Sequence, residues 1–125
     1  MNSLRALNVG FGASRVAFGL IAGAFPEKMG RTWIGETAGT PQAQVILRAL
    51  CGRDFAIGAG TIEGALRDDA DTWLAVSALA DLGDLTATLI ARDELPSRSV
   101  KITSVLAGSA ALGGIGLLIL NQLAD

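Results

Sequence analysis

Four long apolar stretches alternate with three short polar segments along the chain. The first runs from about Leu4 to Phe25, with Arg15 the only charge between Val9 and Phe25, and Pro26 closes it. The second opens at Thr40-Pro41, an N-cap followed by proline at the first helical position, and continues to about Leu66. The third follows the acidic turn Arg67-Asp68-Asp69-Ala70-Asp71, where Asp71 or Thr72 can cap it, and runs to about Ala91. The fourth runs from about Ser99 to Leu123, beyond the polar, proline-broken loop at 92–98. The segment Pro26 to Thr40 reads as a loop, with Gly30, Gly35 and Gly39 suited to turns. These patterns predict four helices, at about 4–25, 41–66, 71–91 and 99–123, and no strands.

The apolar residues do not form one stripe per helix. The first and fourth helices are apolar around most of their circumference, and Ile102 to Leu120 is a run of 19 residues without a charge, close to the ~20 that span a bilayer. Charges gather in the connecting segments and at mid-helix, not along an outer face as in a soluble bundle. The expected fold is therefore all-α, an integral membrane four-helix bundle forming one transmembrane domain over 1–125. Trp33, Ile34 and Trp73 suit the membrane interface. Gly52, Ala56, Gly60 and Gly64 recur at four-residue spacing on the second helix, a smooth row against which another helix can pack. The N-terminus is not read as a cleavable signal, because Arg15 interrupts its apolar stretch.

Composition agrees. Half the residues are hydrophobic, and 16 glycines in 125 residues exceed what loops can absorb. Glycine inside a helix costs about 1 kcal/mol against alanine in water, whereas membrane helices use it for close packing. A net charge of −2 without a basic run argues against nucleic-acid binding. With no histidine and one cysteine, Cys51, no metal site or cofactor is expected and histidine-based nucleophilic catalysis is excluded. Lys28, Arg31, Arg92, Arg98 and Lys101 flank the two segments at one end of the bundle, while Arg5 and Arg67 flank the other. This bias predicts a multi-pass plasma-membrane protein with both termini outside.

The chemistry lies in the mid-helix charges. On the third helix Ser77, Asp81, Asp84 and Thr88 are separated by four, three and four residues and share one face. Such carboxylates need partners in a membrane. Hairpin geometry sets Arg53 level with Gly83, Arg48 with Thr88 and Arg15 with Cys51, so Arg15, Arg48 and Arg53 are expected to meet Asp54, Asp81 and Asp84, three of each sign. Arg53 and Asp54 are adjacent and cannot both face the third helix directly. On the fourth helix, Gly108 to Ala111 lies opposite the aspartates and leaves room for a cavity or a close contact. Glu63 reads as interfacial and Cys51 as a small packing residue.

The first half of the chain carries a resemblance. An arginine in a glycine-rich first helix, a proline-containing segment with Trp33-Ile34-Gly35, and Leu47-Arg48-Ala49-Leu50-Cys51-Gly52-Arg53-Asp54 opening the second helix resemble small four-helix bacterial membrane proteins, loosely DoxX-like. The resemblance implies fold and membrane location more than activity. Three functions follow from the charges. In the first, the cluster is a polar pocket binding a small amphiphilic ligand or ion, with Arg15, Arg48, Arg53, Asp54, Ser77 and Thr88 as binding residues. In the second, the chain is a membrane enzyme doing acid/base chemistry (isomerase, cyclase or epoxide hydrolase type) on a lipophilic substrate, with Asp81 and Asp84 catalytic. In the third, it is a structural subunit of a membrane complex. The lipid bilayer is the expected partner, with homo-oligomerisation, as a dimer, through a spare small-residue face.

Overall fold

The computed structural model describes all 125 residues, Met1–Asp125. It is all-α, with helices α1 (Ser3–Ala24), α2 (Pro26–Ile34), α3 (Pro41–Leu66), α4 (Asp71–Ile90) and α5 (Ser97–Ala124), and short 3₁₀ turns at Gly35–Gly39 and Arg92–Glu94. The four long helices fall where the apolar runs place them. The fifth, α2, occupies a segment that reads as a loop. Pro26 does not merely end α1: Phe25 leaves the helical region (φ −125°, ψ 59°), and Pro26 then stands at the first position of a new helix, where its fixed φ is an asset and its missing N–H costs nothing. Gly35, at φ +72°, ends α2 in a conformation that favours glycine.

Other ends follow their chemistry. Thr40 caps α3 as expected, its hydroxyl accepting from the Ala43 N–H at 3.2 Å. At the α3–α4 turn Asp68 takes a left-handed conformation (φ 58°), and the Asp69 N–H returns to the Gly64 carbonyl at 2.8 Å, closing α3 as a Schellman turn. The expected cap by Asp71 or Thr72 is not used. Ala70 holds the cap position without a side-chain bond, and Asp71 instead accepts hydrogen bonds from Asn121 (2.9 Å) and Gln122 on α5.

The molecule is built as two antiparallel pairs, α1 with α3 and α4 with α5. The first pair is in backbone contact. A Cβ placed on Gly12 would lie 2.7 Å from the Gly58 carbonyl oxygen, and one on Gly19 would lie 2.7 Å from the Cys51 oxygen. No larger residue fits either crossing without moving a backbone. The expected row Gly52, Ala56, Gly60, Gly64 is not this seam. Gly52 has open space around it, Gly60 receives the Trp73 ring and Gly64 the α3–α4 turn. The reason is Asp54. Turning it inward sets Cys51, Asp54, Gly58, Thr61 and Ala65 against the bundle and leaves Gly52 and Ala56, about 200° away, facing out.

The interior is small and partly polar, while the surface is rich in large apolar side chains. Only 25 of 125 residues are buried, and these include Asn8, Asp54, Thr61, Ser77, Asp81, Thr88 and Ser99. The outer surface carries Phe18, Ile21, Val45, Phe55, Leu79, Leu82, Val105, Leu112 and Ile119. A polar interior inside an apolar surface is what a bilayer, not water, makes stable. By length and composition α1, α4 and α5 are each able to cross a membrane, the pattern of a multi-pass membrane protein. At 1.5 Å per residue each is about 30 Å or longer. Arg48, Arg53, Asp54 and Glu63 keep α3 out of that group.

Candidate functional site: the buried arginine–aspartate cluster

The two glycine crossings bracket the site. Arg15 lies between Gly12 and Gly19 on α1, and Asp54 lies between Cys51 and Gly58 on α3, so the backbone contacts hold the two side chains across a narrow gap. α4 completes the cluster by turning its polar face inward, with Ser77, Asp81 and Thr88 buried and Asp84 half-buried. That face is the one its spacing predicts.

Two arginines and three aspartates form one continuous network. Arg15 grips Asp81 with both ends of its guanidinium: Nη1 donates to Oδ2 and Nη2 to Oδ1, each at 2.9 Å. Nη1 also donates to Ser77 Oγ at 2.7 Å, and Nη2 to Asp54 Oδ1 at 3.0 Å. Arg53 grips Asp84 in the same way, at 2.9 and 2.7 Å, and its Nη2 reaches Asp54 Oδ1 at 3.2 Å. Asp54 is thus the bridge between two fork-shaped pairs, the geometry in which arginine and carboxylate bind best. Asp54 and Asp81 are only 7% and 6% exposed, whereas the Arg53 side chain is 30% exposed, so the network runs from a closed inner pair to a more open outer one. The Nε of each arginine is buried without an acceptor.

Most of the expected residues meet here. Arg15, Arg53, Asp54, Asp81, Asp84 and Ser77 are in direct contact, and the adjacency of Arg53 and Asp54 is resolved by Arg53 reaching α4 while Asp54 faces α1. Thr88 lies one turn further along α4. Its hydroxyl donates to the Asp84 carbonyl at 2.7 Å and accepts from Trp33 Nε1 at 2.9 Å, so Trp33 joins α2 to α4 inside the chain. Arg48 is the exception. It does not join the aspartates but lies exposed on α3 and lines a separate cavity with Phe25, Lys28 and Arg31. Six residues before Asp54, it is about 9 Å away along the axis and on another face. The count is therefore two guanidiniums to three carboxylates, not three to three.

A second polar link escaped the sequence reading. At the opposite end from α2, Asn8 on α1 donates to Asn121 Oδ1 at 2.9 Å, and Asn121 in turn donates to Asp71 at 2.9 Å. Arg5 forms a two-pronged pair with Asp68 beside it. The available signal was a pair of amide side chains, Asn8 and Asn121, each set in an otherwise apolar helix. The three aspartates face the arginines and are not arranged to hold a metal ion, and no other group of three ligating side chains in the structure is. Glu63 is exposed and pairs with Arg67 one turn on, at 2.6 Å. Cys51 is buried against Gly19 and Gly23 of α1, as a small packing residue would be. Compared with protein-family models, curated proteins and solved structures, the chain matches none.

Proposed function

We propose that the chain is a small multi-pass membrane protein, with α3 as a fourth span, whose arginine–aspartate cluster is a structural lock joining its two helix pairs. The observation that supports this is mutual pairing. Each of the three carboxylates accepts from a guanidinium, and each guanidinium holds two carboxylates. Every carboxylate of the cluster is thereby held by at least one arginine. Removing one member of such a buried set leaves its partner charged and alone, a loss of about 3–5 kcal/mol. The DoxX-like kinship carried by Gly52-Arg53-Asp54, and a dimer through the outward Gly52–Ala56 face, belong to the same proposal.

The test is thermal unfolding in detergent of Arg15→Gln, Asp81→Asn and Asp84→Asn. A lock requires all three to melt well below the wild type. One observation favours a second reading, in which the cluster holds an ion or the polar head of a small amphiphile. Three carboxylates face two guanidiniums, and Asp54 Oδ2 takes no side-chain hydrogen bond. If Asp54→Asn raises the melting temperature, its charge is held at a cost, and the binding reading displaces the lock.

A further inference from the structure

We propose that the cavity where α1, α2 and α3 meet binds the phosphate headgroup of an anionic membrane lipid, with Lys28 and Arg48 as its cationic ligands. The inference goes beyond the lock and rests on the membrane-embedded reading of the chain and on the orientation inferred from its charge bias. This cavity is a wide, open depression of about 450 Å³ on the surface beside the C-terminal end of α1. Lys28, Arg31 and Arg48 line it against a single carboxylate, Glu27, an excess of two positive charges. Arg31 is already engaged, by Glu27 at 2.8 Å and Glu36 at 3.2 Å. The hydrogen bond it donates to Glu27 and the charge of Glu36 push its pKa up. Lys28 and Arg48 have no acid within ion-pair distance, and both are exposed. Gln44 adds an amide to the same wall.

Two further features select a phosphate, and a lipid one. α2 begins in this cavity, with Pro26 at its first position and no side chain capping its first turn. The start of a helix is a natural seat for a phosphate. The rim is apolar where acyl chains would leave: Phe25 is 60% exposed and Ile21, one turn back on the same face of α1, is 54% exposed. On the topology inferred from the charge bias, this end faces the cytoplasmic leaflet, whose surface potential is negative. A soluble phosphate compound would have no use for the apolar rim.

The experiment reconstitutes the full chain in nanodiscs of phosphatidylcholine containing a minor fraction of phosphatidylglycerol, then reads the retained lipids by native mass spectrometry. The wild type should retain phosphatidylglycerol over phosphatidylcholine about tenfold, and each of Lys28→Gln and Arg48→Gln should cost about fivefold. Arg92→Gln, at the same end but outside the cavity, should keep the preference. Equal retention of the two lipids by the wild type, or an unchanged preference in the double variant, would overturn the proposal. So would displacement of the lipid by inorganic phosphate that itself binds in pure phosphatidylcholine discs, since the site would then serve free phosphate. Extraction of the chain from phosphatidylcholine vesicles by alkali would sink the membrane reading and this proposal together, whereas insertion without headgroup preference sinks this one alone.

Discussion

Arg15 and Arg48 are both arginines on long helices of one small bundle, yet they occupy opposite situations. Arg15 is enclosed and spends both guanidinium ends on Asp81, Asp54 and Ser77. Arg48 is exposed, beside Lys28 and with no acid within ion-pair reach. The difference teaches how to read a charge set in an apolar helix: one whose partners are inside the chain ties helices to each other, and one without them is open to something outside the chain. Residue type and hydropathy do not separate the two cases. The availability of a carboxylate on a neighbouring helix does.

The contrast breaks most visibly at its buried pole. Arg15→Gln leaves buried Asp81 without a cation and Asp54 with Arg53 alone, and should cost about 3–5 kcal/mol, seen as the largest fall in detergent melting temperature among these substitutions. Gly58→Ala comes next. Its new methyl would sit 2.6 Å from the Gly12 oxygen and 2.8 Å from the Val16 nitrogen, so the α1–α3 seam must open, at about 1–3 kcal/mol by unfolding in detergent. Arg53→Gln acts on the outer, more open pair and should cost less than Arg15→Gln, about 1.5–3 kcal/mol. Equal losses for the two arginines would show that burial does not grade the network. Trp33→Phe removes one hydrogen bond to Thr88 and should cost about 1 kcal/mol. At the exposed pole, Arg48→Gln should change stability by no more than about 0.5 kcal/mol. A large loss there would mean that Arg48 has a structural partner and would erase the contrast.

Much of this architecture was legible in the sequence. The four long helices follow from apolar runs bounded by Pro26, Thr40-Pro41 and the acidic turn, and the polar face of α4 follows from the spacing of Ser77, Asp81, Asp84 and Thr88. That Arg15 and Arg53 would find Asp54, Asp81 and Asp84 follows from hairpin registration, because helices that cross a common slab must match in depth. What was hidden depends on rotation, which depth does not constrain. Arg48 is at a suitable level for α4 but on the wrong face. The Gly52–Ala56 row is smooth but lies opposite Asp54, and burying one carboxylate outweighs burying two small residues. α2 was hidden for a local reason: proline and three glycines within fifteen residues read as punctuation, although proline is as good a beginning for a helix as it is an end.

The glycine crossings of α1 and α3 have a mechanical consequence. With Gly12 against Gly58 and Gly19 against Cys51, neither helix can slide or rotate past the other without driving one main chain into its neighbour. These two helices therefore behave as one stiff plate. The α4–α5 pair is joined to it by Arg15–Asp81, Arg53–Asp84 and Asn8–Asn121, and by apolar packing in which Trp73 lies on Gly60 and Val9 and Phe11 pack on the Leu74 cluster. Of the three polar links, the two ionic ones lie side by side while the amide one lies near the opposite rim. A change in hydration or ionic environment acts first on these polar links, so it should loosen the joint between the two pairs before the α1–α3 seam itself opens.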